Sequence, residues 1–472
     1  MRIVAAFLCV FIAMVYAWSP GWRSWRPGWF YSTCFAVLFM AFLERPDMPR
    51  SIGVPGINLW NLLMINNFAA WLCLRGREGY AWDFPKNIRF WGLLFAAVMF
   101  VAFLRILLAN NPDASLQGFG AVAAYFINCF KWFLPPIILF DGCRKDTAAR
   151  NALGAILVTY LLVAIIVVKT MPLSDMGSGE ALSEHALKRF KRALGYHRVD
   201  VAMMLAGASW AFFCCRELFA RVWQRTAMVG MSALTLLGLA LTGGRMGYVT
   251  FVGIGFVLAL VKWRRLLLLG PVCIVLLIAI VPAARERMMM GFAVDAGPIQ
   301  NENDTQKITS GRVLIWPLAI ERIRDKPLFG WGREGFNLSG LREIAWRELK
   351  EEWPHPHNAY LEYLLDNGMV GFLLSVPIYS IIIIWSFQLL RKKNGFATAI
   401  GGATFSLWLA LLLASLGSQT FYTRESTVMM WAMAGIMIRV RLEYHRLEDG
   451  KETNFFEESV REPEEEFILE VA

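Results

Sequence analysis

Residues 151–170 read NALGAILVTYLLVAIIVVKT, and Lys169 is the only charged side chain among them. An α-helix rises 1.5 Å per residue, so about 20 apolar residues cross the hydrocarbon core of a bilayer. Because hydrocarbon offers no partner for backbone N–H and C=O groups, such a run must satisfy them internally, as a helix does. This stretch therefore predicts a transmembrane helix.

Similar apolar runs recur along the whole chain of 472 residues, of which 57% are hydrophobic and 18% charged, with a mean hydropathy of +0.46. A soluble protein of this size needs more polar surface than this composition provides. We therefore predict an all-α integral membrane protein with about 12–13 transmembrane helices. The predicted spans lie near 4–18, 29–43, 58–74, 89–109, 119–141, 151–170, 199–215, 226–243, 247–262, 265–283, 359–388, 398–418 and 425–441.

Lysine and arginine concentrate in the short connections between these runs, and the positive-inside rule assigns such clusters to the cytoplasm. This topology explains the net charge of +10 without a basic patch for nucleic acid. The alternation places the N-terminus outside with thirteen spans and inside with twelve, and both remain open. The cytoplasmic clusters are Arg144, Lys145 and Arg150; Arg216, Arg221 and Arg225; Lys262, Arg264 and Arg265; Arg391, Lys392 and Lys393; and Arg439 and Arg441. The segments predicted to face outward are 110–118, 171–198, 243–246, 284–356 and 419–425.

The chain divides into a polytopic transmembrane domain at 1–442, with one large extracytoplasmic loop at 284–356, and a tail at 443–472. The tail is acidic and has little apolar surface to bury, so we predict a disordered cytoplasmic segment. The eight cysteines lie in or beside apolar runs and form neither a disulfide framework nor a metal-ligand spacing.

The first unusual polar feature on the outward side is the sequence TGGRMG at residues 242–247, which places Arg245 between two apolar spans. An arginine inside a membrane is costly and is usually paired. Glycines let the backbone approach a ligand, and a guanidinium group binds phosphate oxygens through two parallel hydrogen bonds. The alternative is an arginine that extends to the lipid headgroups, and the turn by itself leaves both interpretations open.

The second feature is an amphipathic helix within the outer loop. It begins at SGRVLIW (310–316) and ends at DKPLFGWG (325–332), where proline and glycine stop it. Arg312 lies at its start, where free backbone N–H groups and the helix dipole also favour anions. The alternative is a helix that caps the bundle, with Arg312 solvated.

The third feature is PHPHNAYLEY at residues 354–363, which ends the loop and opens the next span. Two of the five histidines of the chain, His355 and His357, fall here. Histidine exchanges a proton near neutral pH, and a positioned general base accelerates a reaction by about 10²- to 10⁴-fold. The alternative is that Asn358 is an N-cap and the histidines are polar residues of the membrane interface.

Taken in this order, the three features resemble the superfamily of O-antigen ligases and O-antigen polymerases, which are bacterial envelope glycosyltransferases. His357 and Asn358 are followed by nine residues, then Gly368, two residues and Gly371, which matches the ligase pattern. The loop matches the family's pattern through Arg312, Trp316 and PLFGWG at 327–332. Arg245 follows a turn of small residues, as in related proteins. The resemblance covers roughly residues 195–420.

The resemblance implies a donor glycan on undecaprenyl diphosphate and no metal, cofactor or nucleotide sugar. It implies that His357 is the general base, that Arg245 and Arg312 bind the diphosphate, and that Asn358 or Glu362 orients the imidazole or the acceptor. We expect His355 among the substrate-binding residues and Arg198 as a weaker third phosphate contact. His197 beside it is interpreted as coincidental. The active site is expected on the periplasmic face of the bacterial inner membrane.

The acceptor remains open at this stage. A ligase passes the glycan to lipid A core, a polymerase passes it to another lipid-linked repeat, and a third branch uses protein hydroxyls. A transporter or flippase of an anionic lipid or solute is the alternative from another class. Its polar residues would be expected near the middle of the membrane, whereas here they collect at one face.

Overall fold

The computed structural model describes residues 2–19, 27–49, 51–52, 57–109, 119–171, 179–268, 270–272, 275, 285–286, 312–350, 352–418, 421–450, 453 and 455. Within these ranges every regular element is helical, which confirms the predicted all-α class. Among the described residues, six helices are long and apolar enough to cross a membrane, and four shorter apolar helices accompany them. The chain is thus a multi-pass membrane protein by length and composition of its helices.

The first half of the chain forms the helices α1 (Arg2–Tyr16), α2 (Gly28–Leu43), α3 (Leu59–Leu74), α4 (Lys86–Leu108), α5 (119–142), α6 (Asp146–Thr170) and α7 (Gly179–Ala193). The second half forms α8 (Arg198–Cys215), α9 (Val222–Ala240), α10 (Arg245–Val261), α11 (Arg312–Asp325), α12 (Gly335–Leu338), α13 (Leu341–Leu349), α14 (Ala359–Leu390), α15 (Gly395–Ala414) and α16 (Val428–Glu448).

Every predicted span except 265–283 overlaps one of these helices, and most of 265–283 lies outside the described residues. The predicted outer loop at 284–356 contributes α11 to α13, and its residues 287–311 lie outside the described part. Helix α16 continues to Glu448, beyond the predicted start of the acidic tail. Residues 456–472 of that tail also lie outside the described part.

Helix α5 departs from regular α-helical geometry in the middle of its length. Val122–Ile127 is π-helical and Lys131–Phe133 is 3₁₀-helical. Such changes of helical type are frequent at functional sites, because they turn side chains away from the positions that a regular helix would give them.

Helices α8 and α15 form the centre of the bundle and are buried on almost every face. Their contact is made by small residues: a Cβ added at Gly207 would lie 2.9 Å from the Cβ of Ala410. Small residues let two helix backbones approach closely, which is how helices associate in a membrane without a hydrophobic driving force. This contact fixes the position of the polar residues at the start of α8.

The two ends of the bundle differ in their polar residues. At one end, the Ala359 N–H at the start of α14 donates to the Ser415 carbonyl after α15 (2.8 Å), and α11 to α13 pack nearby. We call this the site end. At the other end, Lys262 donates to the Lys392 carbonyl (2.9 Å), and Arg439 binds Asp83. Basic clusters that were predicted to share one side therefore meet at one end of the bundle.

Candidate active site

Arg312 and the turn before Arg245 meet at the site end. Arg312 is the first residue of α11, is half-buried, and its Nη2 donates to the carbonyl of Gly417 (3.2 Å). A Cβ added at Gly417 would lie 2.5 Å from Cγ of Met246 and 3.0 Å from Nη2 of Arg312. The glycine thus separates Arg312 from the first turn of α10, which Arg245 begins. Two arginines that are distant in sequence belong to one small region.

Arg312 retains hydrogen-bonding capacity for a ligand. Its Nε is buried and has no hydrogen-bond partner within the described part of the chain. A buried donor without a partner costs free energy, so such donors are normally satisfied. Burial also lowers the pKa of Arg312, because the charged form loses its hydration. An anion bound here would satisfy both the donor and the charge.

The two histidines form a tight turn immediately before α14. The His357 backbone N–H donates to Nδ1 of His355 (3.1 Å), and the two ring centroids are 4.1 Å apart. His357 has a φ of 51°, a left-handed conformation that non-glycine residues seldom adopt. Trp316 of α11 donates from its indole Nε1 to the carbonyl of Pro356 (2.9 Å) and so holds the turn against α11. The strain is consistent with a functional position, where such conformations collect.

Both imidazoles are kept neutral. Burial, with smaller contributions from Arg312 and His197, lowers the pKa of His357 to about 4. Burial, with smaller contributions from His357 and Arg424, lowers the pKa of His355 to about 3. A neutral imidazole has a free lone pair and can accept a proton. His357 is therefore in the correct protonation state for a general base at neutral pH.

Asn358 and Glu362 lie on the first turn of α14 but make different contacts. Asn358 Oδ1 accepts from the backbone N–H groups of Tyr360 (3.0 Å) and Leu361 (3.2 Å), which makes Asn358 the N-cap of the helix. Glu362 is buried, and its Oε1 lies 3.9 Å from Nη1 of Arg333. The side-chain oxygen of Asn358 is thus occupied in capping the helix.

Arg198 and His197 stand at the start of α8, beside the same turn. Nη1 of Arg198 donates to the carbonyl of Gly243 (3.2 Å), two residues before Arg245. His197 is the N-cap of α8, and it contributes to the lowered pKa of both His355 and His357. Tertiary packing therefore brings the start of α8 and the start of α14 to the same end, and a functional role of His197 is not tested by this proximity.

Arg424 is a cation of the site that the sequence analysis did not single out. It precedes α16, and its Nη2 lies 3.3 Å from Oε1 of Glu425 and 4.0 Å from Oδ2 of Asp200. It also contributes to the lowered pKa of His355. The sequence could have indicated Arg424 as a site residue through its position in 419–425, the last segment predicted to face outward.

Arg333 is a second cation that was missed, and it is held firmly. Its Nη1 lies 3.1 Å from Oδ2 of Asp366, and its guanidinium carbon stacks 3.5 Å from the ring centroid of Tyr422. The Tyr422 hydroxyl donates to the same carboxylate oxygen (2.8 Å). In the sequence, Arg333 is distinguished only by its position directly after the PLFGWG segment.

The glycine spacing after His357 has a structural explanation. Helix α14 is broken at Gly368, whose φ of 64° and ψ of −172° are essentially restricted to glycine. The PLFGWG segment at 327–332 packs into the break, and a Cβ on Gly368 would lie 2.4 Å from the carbonyl of Leu328. Four backbone hydrogen bonds join the two segments: Trp331 N to Leu365 O (2.8 Å), Gly332 N to Asp366 O (2.8 Å), Met369 N to Pro327 O (2.8 Å) and Val370 N to Leu328 O (3.0 Å).

Comparison with known proteins links this region to one family. Residues 230–376 match the family model described as O-antigen ligase. This confirms the resemblance for a part of the chain that is shorter than the 195–420 expected. The matched part contains six of the seven predicted site residues: Arg245, Arg312, His355, His357, Asn358 and Glu362.

Two similar proteins extend the comparison. An uncharacterized protein of Haemophilus influenzae is 22% identical over 335 residues, which cover 66% of this chain and 82% of that protein. A ComP-specific O-oligosaccharyltransferase of Acinetobacter baylyi is 32% identical over 84 residues, which cover 17% of this chain and 15% of that protein. The second similarity therefore spans only a small part of either chain.

Proposed function

We propose that the chain is a membrane glycosyltransferase of O-antigen ligase type. It transfers a glycan from an undecaprenyl diphosphate carrier to an acceptor hydroxyl during the synthesis of cell-surface polysaccharide. We place the reaction at the periplasmic face of the bacterial inner membrane. The observation that carries the proposal is the convergence of His357, Arg312 and the turn before Arg245 at one end of the bundle.

The arginines bind the donor in this proposal. The diphosphate of a lipid carrier lies at the membrane interface, where Arg312 and Arg245 supply cations at the ends of their helices. The unpartnered Nε of Arg312 donates to a phosphate oxygen, and its desolvated guanidinium group strengthens that hydrogen bond. Because negative charge on the diphosphate increases as it leaves, the same contacts stabilise the transition state more than the ground state. Arg198 supports this region through Gly243 and serves as a weaker contact.

The transfer itself is a displacement at the anomeric carbon of the donor sugar. The imidazole of His357 removes the proton from the acceptor hydroxyl, whose oxygen attacks that carbon. The bond between the carbon and the diphosphate oxygen breaks, and its electron pair leaves with the undecaprenyl diphosphate. The imidazolium then releases its proton to solvent. His355 fixes the His357 turn through Nδ1, and Glu362 or Asn358 orients the acceptor.

The same groups would serve a polymerase that joins lipid-linked repeat units, since only the acceptor differs. A protein acceptor is compatible with them as well: the relative from Acinetobacter baylyi is described as specific for ComP. The diphosphate contacts and the base therefore support a lipid-linked glycan transferase in general. They do not distinguish the three kinds of acceptor, which the residues around the histidines must select.

The proposal is tested by transfer from a synthetic undecaprenyl diphosphate glycan in proteoliposomes. We expect His357→Ala to lower the rate by about 10²- to 10⁴-fold, the contribution typical of a positioned base. The matched control is His445→Ala, because the His445 side chain is 60% exposed and lies at the end of α16. A folded His357→Ala variant that transfers glycan at the wild-type rate would exclude His357 as the base.

A second pair of variants tests the diphosphate contact. Arg312→Ala should lower the rate by about 10²- to 10³-fold. Arg312→Lys should recover only part of it, since lysine lacks the forked geometry. Arg347→Ala is the control, because this side chain in the same loop region is 78% exposed. Equal effects of the substitutions at 312 and 347 would contradict a specific role of Arg312.

A further inference from the structure

An apolar groove opens between the helices α4, α5, α14 and α16. Its volume is about 430 Å³, within the range of about 300–1,000 Å³ that is typical of ligand sites. Within the described part of the chain, Arg89 is the charged residue of its lining, and Arg245, Arg312 and His357 do not belong to it. The groove is therefore separate from the candidate active site.

The groove begins at the end of the bundle opposite the site. Trp82 and Phe84 line it there, on either side of Asp83, which takes part in the ion pairs of that end. Its α4 wall covers residues 88–96, which is about 12 Å at 1.5 Å per residue. The hydrocarbon of one leaflet is about 15 Å thick, half of the bilayer core. The groove thus extends through most of the leaflet that the basic clusters predict to be cytoplasmic.

The back wall of the groove is apolar and consists largely of aromatic rings. Phe95 is fully buried and stacks on Trp431, with ring centroids 5.8 Å apart and planes at 13°. Phe133 meets Phe95 edge-on at 6.0 Å. Helices α5 and α16 touch behind these rings, because a Cβ added at Gly435 would overlap the Pro136 carbonyl. A ligand of this wall gains from apolar contact and finds little to bind by hydrogen bonds.

The open side of the groove faces the surroundings of the bundle at Gly92. A Cβ added to this glycine would meet nothing within 4 Å. On the same helix, Leu93 is 65% exposed and Phe90 is 60% exposed. Because α4 is one of the helices apolar enough to cross a membrane, these side chains face lipid. Hydrocarbon chains of the bilayer therefore have direct access to the groove.

The mouth of the groove carries positive charge. Arg89 and Lys86, one turn apart on α4, are both exposed and form no ion pair within the described part of the chain. Trp82 is 42% exposed and supplies an aromatic ring of the kind that lies at headgroup level. Basic residues at a cytoplasmic membrane surface attract anionic headgroups. The nearest carboxylate in sequence, Asp83, is already bound by three arginines, Arg144, Arg439 and Arg446.

The size and position of the groove exclude two other occupants. A helix segment about 12 Å long and about 10 Å wide takes about 900 Å³, so a transmembrane helix of a partner protein does not fit. The isoprenoid chain of the proposed donor has its diphosphate at the site end, where it cannot reach Arg89. A single extended chain with its phosphate at Arg89 meets both requirements.

We infer that this groove binds an acyl chain of an anionic phospholipid from the leaflet opposite the site. The inference does not depend on the proposed function, since the lining residues lie outside 230–376, the range that matches the family. Helix α4 continues to the site end, where Nη2 of Arg105 donates to the carbonyl of Gly330 (2.6 Å). The bound lipid therefore secures the helix that holds the PLFGWG segment.

Native mass spectrometry of the purified full-length protein measures the binding. The probe is dioleoyl phosphatidylglycerol; phosphatidylethanolamine with the same chains tests the headgroup charge, and undecaprenyl phosphate tests the type of chain. We expect phosphatidylglycerol to bind more tightly than phosphatidylethanolamine. Arg89→Gln should raise its Kd about fivefold, which corresponds to about 1 kcal/mol for a basic residue at an anionic surface. Gly92→Leu should raise it at least about tenfold, because the leucine takes the place of buried methylenes.

Both substitutions have matched controls. Gly154→Leu is the control for Gly92→Leu: both glycines are half-buried helix residues, and a Cβ at Gly154 would also meet nothing within 4 Å. Gly154 belongs to α6, away from the groove. Arg265→Gln is the control for Arg89→Gln, because Arg265 is also exposed and belongs to a basic cluster of the same end. Neither control should change the Kd.

Three results would overturn the inference. The first is phosphatidylglycerol binding that is absent, or no tighter than that of phosphatidylethanolamine. The second is an equal Kd in the groove variants and in their controls. The third is tighter binding of undecaprenyl phosphate with equal sensitivity to Gly92→Leu, which would assign the groove to an isoprenoid chain. The assay needs neither glycan donor nor acceptor, so its outcome is independent of the activity of His357→Ala.

Discussion

Replacement of Gly368 by alanine should release the PLFGWG segment from helix α14. The added Cβ would lie 2.4 Å from the Leu328 carbonyl carbon and oxygen, which are backbone atoms that cannot move alone. The φ of 64° at Gly368 is also strained for alanine. We expect the segment to move away, with loss of the four backbone hydrogen bonds that join it to the helix.

The size of the effect follows from these bonds. Each backbone hydrogen bond contributes about 1 kcal/mol net, so four contribute about 4 kcal/mol. A change of this size lowers the free energy of local opening and makes amide hydrogen exchange about 10³-fold faster. The affected amides are those of Trp331, Gly332, Met369 and Val370, which are the donors of the four bonds.

Hydrogen exchange followed by mass spectrometry, on protein in detergent, measures this directly. Gly340→Ala is the control: Gly340 also has a positive φ, of 73°, but a Cβ there would meet nothing within 4 Å. It should cost only the backbone strain, about 1–2 kcal/mol, and leave exchange at the four amides unchanged. Unchanged exchange in Gly368→Ala, or an equal increase in Gly340→Ala, would refute the reasoning.

Three further outcomes can be checked independently. Since only the neutral imidazole of His357 accepts a proton and burial lowers its pKa to about 4, the acid limb of kcat/KM should fall near pH 4; a limb at pH 6.5 would contradict this. Transfer should survive EDTA, because the arginines bind the diphosphate without a metal ion. A loss of activity that a divalent cation restores would show that the arginines do not suffice. Asp83→Ala should lower the free energy of unfolding by about 3–5 kcal/mol, because it removes two 2.7 Å contacts of fully buried Arg439. Asp325→Ala, at a surface pair, should cost less than about 1 kcal/mol in the same thermal unfolding assay.

The helices could be predicted from the sequence because a membrane span has a composition that is visible locally. The run at 151–170, for example, lies within α6, which extends to Asp146. The structure departs from the predicted helices where the backbone geometry within a helix changes. The interruptions of α5 and the break at Gly368 leave an apolar pattern unchanged, so hydropathy cannot detect them.

The candidate site was predicted in part for a similar reason. Arg312 and His357 lie in short motifs that stand out within an apolar chain. His197 and Arg424 do not, since each gains significance only from a neighbour in another segment. Arg333 was overlooked because its partner Asp366 lies within an apolar span, where the sequence gives no indication of a buried pair. Long-range packing of this kind is not encoded in any local pattern.

The Asp83 and Arg439 pair has a consequence for synthesis. The two residues are separated by 356 positions, so Asp83 emerges from the ribosome long before its main partner. Until α16 is made, the partner of its carboxylate among the described residues is Arg144, at 3.2 Å. Insertion of the last helix therefore closes the end of the bundle opposite the site. A nascent chain that stalls before α16 would expose an acidic group, and quality-control proteases could recognise it as unfinished.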